Sequence, residues 1–288
     1  MNFTKMQSAG NDYVVVDSED IERDWFQTVI ETCDRHYGIG ADSLLVVMPS
    51  EKADFRMRIF DADGTEAEAC GNGIRCLAKY VFDRRLVRLE AEEVLIETIA
   101  GIRKIKLYVQ NKELIKIQAN MGKPEFRAEQ IPVSIEHQER NIVDIKTMII
   151  YDTSINNLNL TLNVFSMGNP HAVYFTQDPI SEFPLSLIGP KVEHLEIFPN
   201  RVNFEVARMI SRQEIEARVW ERGVGETMAC GSGACAIAVA AQLHNYIDDK
   251  VNIKLPGGVL ELEITEAGEV LLSGPTETVF TGVWINKR

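Results

Sequence analysis

The sequence predicts a mixed α+β protein made of two related halves, on three observations. First, the block Arg58 to Gly73 lies without a gap over Arg218 to Gly233, an offset of 160 residues. Nearly the same shift carries Gly10-Asn11-Asp12 onto Gly168-Asn169-Pro170, and the 160 shift carries Ser43 to Val46 onto Asn203 to Val206. Separated matches at nearly one offset mark an internal repeat. Second, alternating or β-branched runs separated by Gly, Asn and Asp turns mark many strands. Third, one helical pattern follows each of Cys70 and Cys230.

In chain order, alternation marks strands at Asn2 to Gln7 and Tyr13 to Asp17, and a helix is expected over Ile21 to His36. Strands follow at Leu44 to Val47 and Asp54 to Phe60. After Cys70, Ile74, Leu77, Ala78 and Val81 stand at helical spacing within Gly73 to Asp83. Strands are expected at Val94 to Ile99, Lys104 to Val109 and Leu114 to Gln118, then a polar stretch from Pro124 to Thr153 joining the halves. After Cys230, Ala234, Ile237, Ala238 and Ala241 mark a helix over Gly233 to His244. Val251 to Leu255, Val259 to Ile264, Val270 to Ser273 and Thr278 to Ile285 read as strands. The expected division is an N-terminal repeat over 1–122, a C-terminal repeat over 123–276, and a strand over 277–288 that is a candidate to cross back to the N-terminal unit.

The chain has 288 residues, 45% hydrophobic and 25% charged, the composition of a soluble globular protein. A formal net charge of −13 repels phosphate backbones and anionic head groups, so nucleic acid and membrane are not expected partners. The N-terminus carries no leader pattern, which makes the cytoplasm the expected location. Five cysteines, an odd number, argue for reduced thiols rather than a disulfide framework. The Cys70/Cys76 and Cys230/Cys235 spacings miss the two-residue gap of zinc sites, so no metal is expected. The glycines match neither phosphate loop nor dinucleotide fingerprint. Cys33, Cys76 and Cys235 read as core residues.

A cysteine at the start of a helix faces unpaired N–H groups and the positive end of the helix dipole, so Cys70 and Cys230 are expected to be activated towards thiolate. The glycines that follow let an anion approach the backbone of Gly71, Asn72, Gly231 and Ser232; a substrate carboxylate fits there. Such a cradle disperses the charge that develops when the neighbouring carbon loses its proton. Inverting a stereocentre takes a proton from one face and returns one to the other, and a duplicated fold supplies two equivalent bases.

These residues resemble the diaminopimelate epimerase family along essentially the whole chain. The motifs are Gly10-Asn11-Asp12, Ala62-Asp63-Gly64 leading to Cys70-Gly71-Asn72-Gly73-Ile74-Arg75-Cys76, Met167-Gly168-Asn169-Pro170-His171, Arg201-Val202-Asn203, and Glu221-Arg222-Gly223 leading to Cys230-Gly231-Ser232-Gly233. The resemblance implies an α+β fold of two similar β-barrel-like domains, each around a central helix, related by duplication about a pseudo-twofold axis. It implies catalysis by Cys70 and Cys230 without any cofactor, assisted by His171 and Glu221. Asn11, Ser43, Asp61, Asn169, Asn203, Glu221 and Arg222 are implied to hold a small amino-acid substrate, in a homodimer. The chain departs from the family pattern at Gln7-Ser8-Ala9, at Tyr13, and at Ser43 and Asp61, where the family commonly carries amides. A carboxylate at Asp61 repels a distal carboxylate and welcomes a distal ammonium. Two further readings stay open: a racemase of another, for example basic, amino acid, and a non-catalytic binder or thiol switch.

Overall fold

The computed structural model describes residues 1–20, 24–67, 71–134, 142–145 and 148–285. Its chain divides into two compact units, Met1–Asn120 with Ser273–Arg288, and Met121–Leu272. The change of unit thus falls at 272/273, a few residues before the expected boundary at 276.

Unit 1 holds β1 (Asn2–Ser8), β2 (Asn11–Asp17), α1 (Phe26–Cys33), β3 (Ser43–Met48), β4 (Phe55–Asp61), β5 (Glu66–Ala67), α2 (Gly71–Asp83), β6 (Glu93–Thr98), β7 (Gly101–Gln110) and β8 (Glu113–Asn120). Ala9 (φ 49°) and Gly10 (φ 87°) turn β1 into β2, the paired positive φ values of a two-residue hairpin loop. The strands β2 and β3 pair in parallel, as do β4 and β6, and each parallel step needs a crossover: α1 makes the first and α2 the second. β6, β7 and β8 follow as an antiparallel meander.

Unit 2 begins with β9 (Ile142–Ile145), β10 (Met148–Ile155), β11 (Leu158–Ser166) and β12 (Pro170–Phe175). It continues through α3 (Leu185–Glu193), β13 (Asn203–Ser211), β14 (Glu214–Glu221), β15 (Gly225–Thr227), α4 (Gly231–Leu243), β16 (Lys250–Leu255) and β17 (Gly258–Ile264). The same order of steps recurs: β12 and β13 are parallel and bridged by α3, and β14 and β16 are parallel and bridged by α4. β18 (Val270–Ser273) leads out of the unit, and β19 (Glu277–Val283) pairs antiparallel with β1.

The two crossover classes pack differently. α1 buries one stripe, Val29, Thr32 and Cys33, with Trp25 and the sheet residues Val14, Leu44 and Val46 in one cluster. α3 does likewise, setting Leu185, Ile188 and Val192 among Leu162, Phe204 and Val206. α2 and α4 are buried nearly all round, α2 against β1, β2 and β8, and α4 against β12, β13 and β17. In α4, Ala234, Ala236, Ala238, Ala240 and Ala241 are all buried, so strands can approach closely on several sides. Cys33, Cys76 and Cys235 are buried in these helices, and burial raises the Cys33 thiol to about 11.

Two expectations are corrected. The helix expected over Ile21 to His36 is shorter: residues 21–23 lie outside the described residues, Trp25 precedes the first turn, and Asp34 stops the helix. Its Oδ1 accepts from the backbone N of His36 and Tyr37, both at 2.7 Å, an Asx turn that competes with helix. The stretch Pro124 to Thr153 is not merely a connector, since Met148–Ile155 is β10, Glu125 bridges Ser166, and both belong to unit 2. Among the described residues no helix is long and apolar enough to cross a membrane.

Candidate active site

In unit 2, Cys230 is extended (φ −122°, ψ 117°) and caps α4. Its Sγ accepts from Gly233 N at 3.4 Å, lies 3.5 Å from Ser232 Oγ, and is almost fully buried. The helix start favours thiolate, as the sequence leads one to expect, but the surroundings of the sulfur act in the other direction. Burial first, then the charges of Glu221 and Glu205, push the Cys230 thiol well up, against the hydrogen bonds from Ser232 and Gly233. Removal from water beside two carboxyls thus biases Cys230 towards thiol, against the two hydrogen bonds that favour thiolate.

Glu221, at the end of β14, is raised by burial in turn, although Thr227 Oγ1 donates to its Oε1 at 2.6 Å and Cys230 donates to it as well. Arg222 follows on the exposed turn. Its backbone N donates to Asn203 Oδ1 at 2.8 Å, and Asn203 Nδ2 donates to Pro170 O at 3.2 Å, so Asn203 ties the β14 turn to the start of β12. Glu193 at the end of α3 anchors the same turn: it accepts from Gly223 N (2.9 Å), Trp220 Nε1 (2.8 Å) and Arg201 Nη1 (3.2 Å). Gly189 makes this packing feasible, since a Cβ there would stand 2.6 Å from the Trp220 ring.

His171 on β12 is wholly enclosed. Its Nδ1 lies 2.7 Å from Glu205 Oε1 and its Nε2 2.9 Å from Asn169 Oδ1. Unit 2 thus brings together Asn169, His171, Asn203, Glu221, Arg222, Cys230, Gly231 and Ser232.

Unit 1 carries the remaining candidates. Cys70 itself lies outside the described residues. Gly71 and Asn72 open α2, as Gly231 and Ser232 open α4. Asn72 Nδ2 donates to Asn11 Oδ1 at 2.5 Å, and Arg75 Nη2 donates to Asn72 Oδ1 and Ser8 Oγ, each at 2.8 Å, while its Nη1 reaches Gly71 O at 3.0 Å. A fully buried guanidinium thereby orients both amides. Ser43 and Asp61 face each other across β3 and β4, Ser43 Oγ donating to Asp61 Oδ1 at 3.0 Å. Burial and the nearby Asp63 and Asp42 raise Asp61, against that hydrogen bond. Beside them, burial works against Asp12, but Arg35 and Lys5 hold its carboxyl down at about 2.

Sequence reasoning missed Glu205, Arg75 and Glu193 as parts of these clusters. Glu205 left a signal: a charge between the apolar Phe204 and Val206 of a strand, over the position where the first half carries Leu45. Arg75 stands inside a motif, but a charged helix residue is usually solvated and gives no sign of its burial. Glu193 left none.

The family profile of diaminopimelate epimerase matches residues 3–127 and 163–279. Curated relatives called diaminopimelate epimerase are 42% identical over 284 residues in Acetivibrio thermocellus and 44% in Agathobacter rectalis, each covering 98% of both chains. One from Methanococcus maripaludis is 41% identical, covering 98% of this chain and 99% of its own. Among solved structures, a hydroxyproline epimerase from Agrobacterium vitis superposes with TM-score 0.71 at 13% identity, over 98% of this chain and 91% of its own. A probable proline racemase from Agrobacterium radiobacter gives 0.73 at 12% identity, over 99% and 93%. These two share the fold. With a family profile that spans most of the chain and relatives 41–44% identical over nearly its full length, the chain belongs to the diaminopimelate epimerase family.

Proposed function

We propose that this protein is an isomerase that interconverts LL- and meso-2,6-diaminopimelate, using Cys70 and Cys230 as alternating acid and base without an organic cofactor. The observation that carries it is the buried Cys230 thiol capping α4 beside Glu221, in a chain 41–44% identical over nearly its full length to curated diaminopimelate epimerases. A thiol held protonated is the acid that returns a proton to the α-carbon. Once it has done so, Gly233 N, Ser232 Oγ and the helix dipole stabilise the thiolate, which is then the base for the reverse direction. Glu221, hydrogen-bonded to Cys230, follows its charge. The backbone of Gly71, Asn72, Gly231 and Ser232 receives the reacting carboxylate, and Asn11, Asn169, Asn203 and Arg222 hold the remainder.

Ser43 and Asp61 form an acidic distal subsite in this reading. A carboxylate at Asp61 takes an ammonium, and diaminopimelate presents one at its far end. A basic amino acid presents one too, so a substrate panel that includes lysine and arginine distinguishes the two. We also read the two units as barrel-like copies around α2 and α4, produced by internal duplication; the 160-residue offset and the recurring order of parallel and antiparallel steps support this. By the family resemblance the protein works as a cytoplasmic homodimer, which sedimentation tests.

The direct experiment is incubation with LL-diaminopimelate in heavy water under reducing conditions. Deuterium at one α-carbon is the expected result. A fully reduced, folded protein that exchanges nothing at that carbon overturns the reading.

A further inference from the structure

Both imidazole nitrogens of His171 are committed, and what commits one of them is a carboxyl that no motif singled out. An amide oxygen only accepts, so the 2.9 Å contact from Nε2 to Asn169 Oδ1 requires a hydrogen on Nε2. Nδ1, 2.7 Å from Glu205 Oε1, then either donates to a carboxylate or accepts from a carboxyl O–H. In both forms the pair holds a single proton between them, and Nε2–H persists.

The surroundings indicate that Glu205 is present for chemistry rather than for the fold. Its side chain is wholly buried and its Oε2 has no hydrogen-bond partner among the described residues. Burying a carboxyl with one oxygen unpaired works against folding. The same place in the other half of the repeat is filled by Leu45, also fully buried, so the strand itself needs only an apolar residue. Room for the carboxyl is reserved by Gly233, where a Cβ would come within 2.9 Å of Oε1. The charged and titratable groups facing it are His171 from β12, Glu221 from β14 and Cys230 at the start of α4.

We propose that Glu205 is a positioning residue for the epimerase: acting through His171, it keeps Nε2 protonated and so fixes the Asn169 amide with Oδ1 turned to the ring and Nδ2 left to donate to a substrate oxygen. This rests on the epimerase reading and on Asn169 as a substrate contact. His171, with no nitrogen to spare, acts as the link in this chain and not as a free base.

The test begins with the native protein. Long-range ¹H–¹⁵N spectra of histidine side chains are expected to give His171 with its hydrogen fixed on Nε2, in place of the exchange between tautomers of a solvated ring. Glu205→Gln can donate its amide N–H to Nδ1, so it retains that signature and a KM within about threefold of the parent. Glu205→Leu leaves Nδ1 bare; its KM rises at least about tenfold, with a smaller change in kcat, as a ground-state contact is lost. A bare Nε2 in the native spectrum overturns the proposal. So does a folded Glu205→Leu with parental KM, or a folded Glu205→Gln as impaired as the leucine variant. If instead the native protein exchanges no α-deuterium, the epimerase reading fails while the ring signature still stands, so the two failures are distinguishable.

Discussion

Replacing Gly233 by alanine sets helix propensity against packing, and the structure decides the sign. Gly233 lies in the first turn of α4, with no positive φ, so propensity alone predicts that Gly233→Ala stabilises by about 1 kcal/mol. The new Cβ, however, would stand 2.9 Å from Glu205 Oε1, 3.3 Å from Cys230 Cβ and 3.4 Å from Glu205 Cγ. Glu205 is enclosed and tied to His171, so it cannot swing into solvent. Overpacking of this kind costs about 1–3 kcal/mol, and loss of a charged hydrogen bond such as that to His171 about 1.5–3 kcal/mol more. The net is a destabilisation of about 2–5 kcal/mol, or a fall in melting temperature of roughly 3–8 °C for a chain of this size. Calorimetry reads the first number and α-deuterium exchange the second consequence, a loss of turnover as Cys230 and Glu205 are displaced. A Gly233→Ala protein that melts at or above the parental temperature would refute the packing argument outright.

Cys230→Ser keeps the shape of the cap but not the acidity of the thiol; turnover is expected to fall by at least about 10²-fold with substrate affinity retained in calorimetric titration. Because burial and the Glu221 charge raise the Cys230 thiol, its alkylation by iodoacetamide is expected to be slow at neutral pH and to accelerate only in alkali, and Glu221→Gln should shift that rise to lower pH, as mass spectrometry of the labelled peptide reports. Glu221 is itself raised in the folded state, so the protein holds its proton longer than the unfolded chain does; stability is lost as pH rises above the ordinary carboxylate range, and Glu221→Gln should therefore melt higher than the parent at pH 8 and alike at pH 4. Glu193 runs the other way: burial opposes ionisation, but Trp220, Gly223, His194 and Arg201 together hold its carboxyl low. Its stabilisation is present above the unfolded value and lost as pH falls through the lowered folded value, so Glu193→Gln should flatten the acid limb of a melting-temperature profile.

How much of this was legible in the sequence depends on whether a signal was local. The helices after Cys70 and Cys230, and the strands around Leu44, Val94, Val251 and Val270, follow from spacing of apolar residues and fall within a residue or two of the observed bounds. Helix α3 gave little signal because Pro190 stands inside it; the helix holds there by packing against Trp220 and the β13 core. The early end of α1 was hidden because an Asx turn at Asp34 depends on side-chain geometry, not on periodicity. Gly71, Asn72, Gly231 and Ser232 were readable because glycine flanks a cysteine at a helix start in both halves. What raises the Cys230 thiol was not, since its largest cause is burial, and the charges of Glu221 and Glu205 reach it only through folding. A helix dipole is local and can be read from sequence; burial is not local and cannot.

The pairing of β19 with β1 has a consequence for biosynthesis. Unit 2 is drawn from one continuous run, 121–272, whereas unit 1 needs residues from both ends of the chain. A ribosome adding about 5–20 residues per second needs roughly 8–30 s to pass that run, and throughout this interval β1 waits with one flank uncovered. The later-made unit can therefore be complete while the earlier-made one is still open. Protection of that waiting edge, by a chaperone or by polar side chains such as Gln7, becomes a requirement of the topology, and a nascent chain arrested shortly before Glu277 is the form of this protein most exposed to strand-to-strand aggregation.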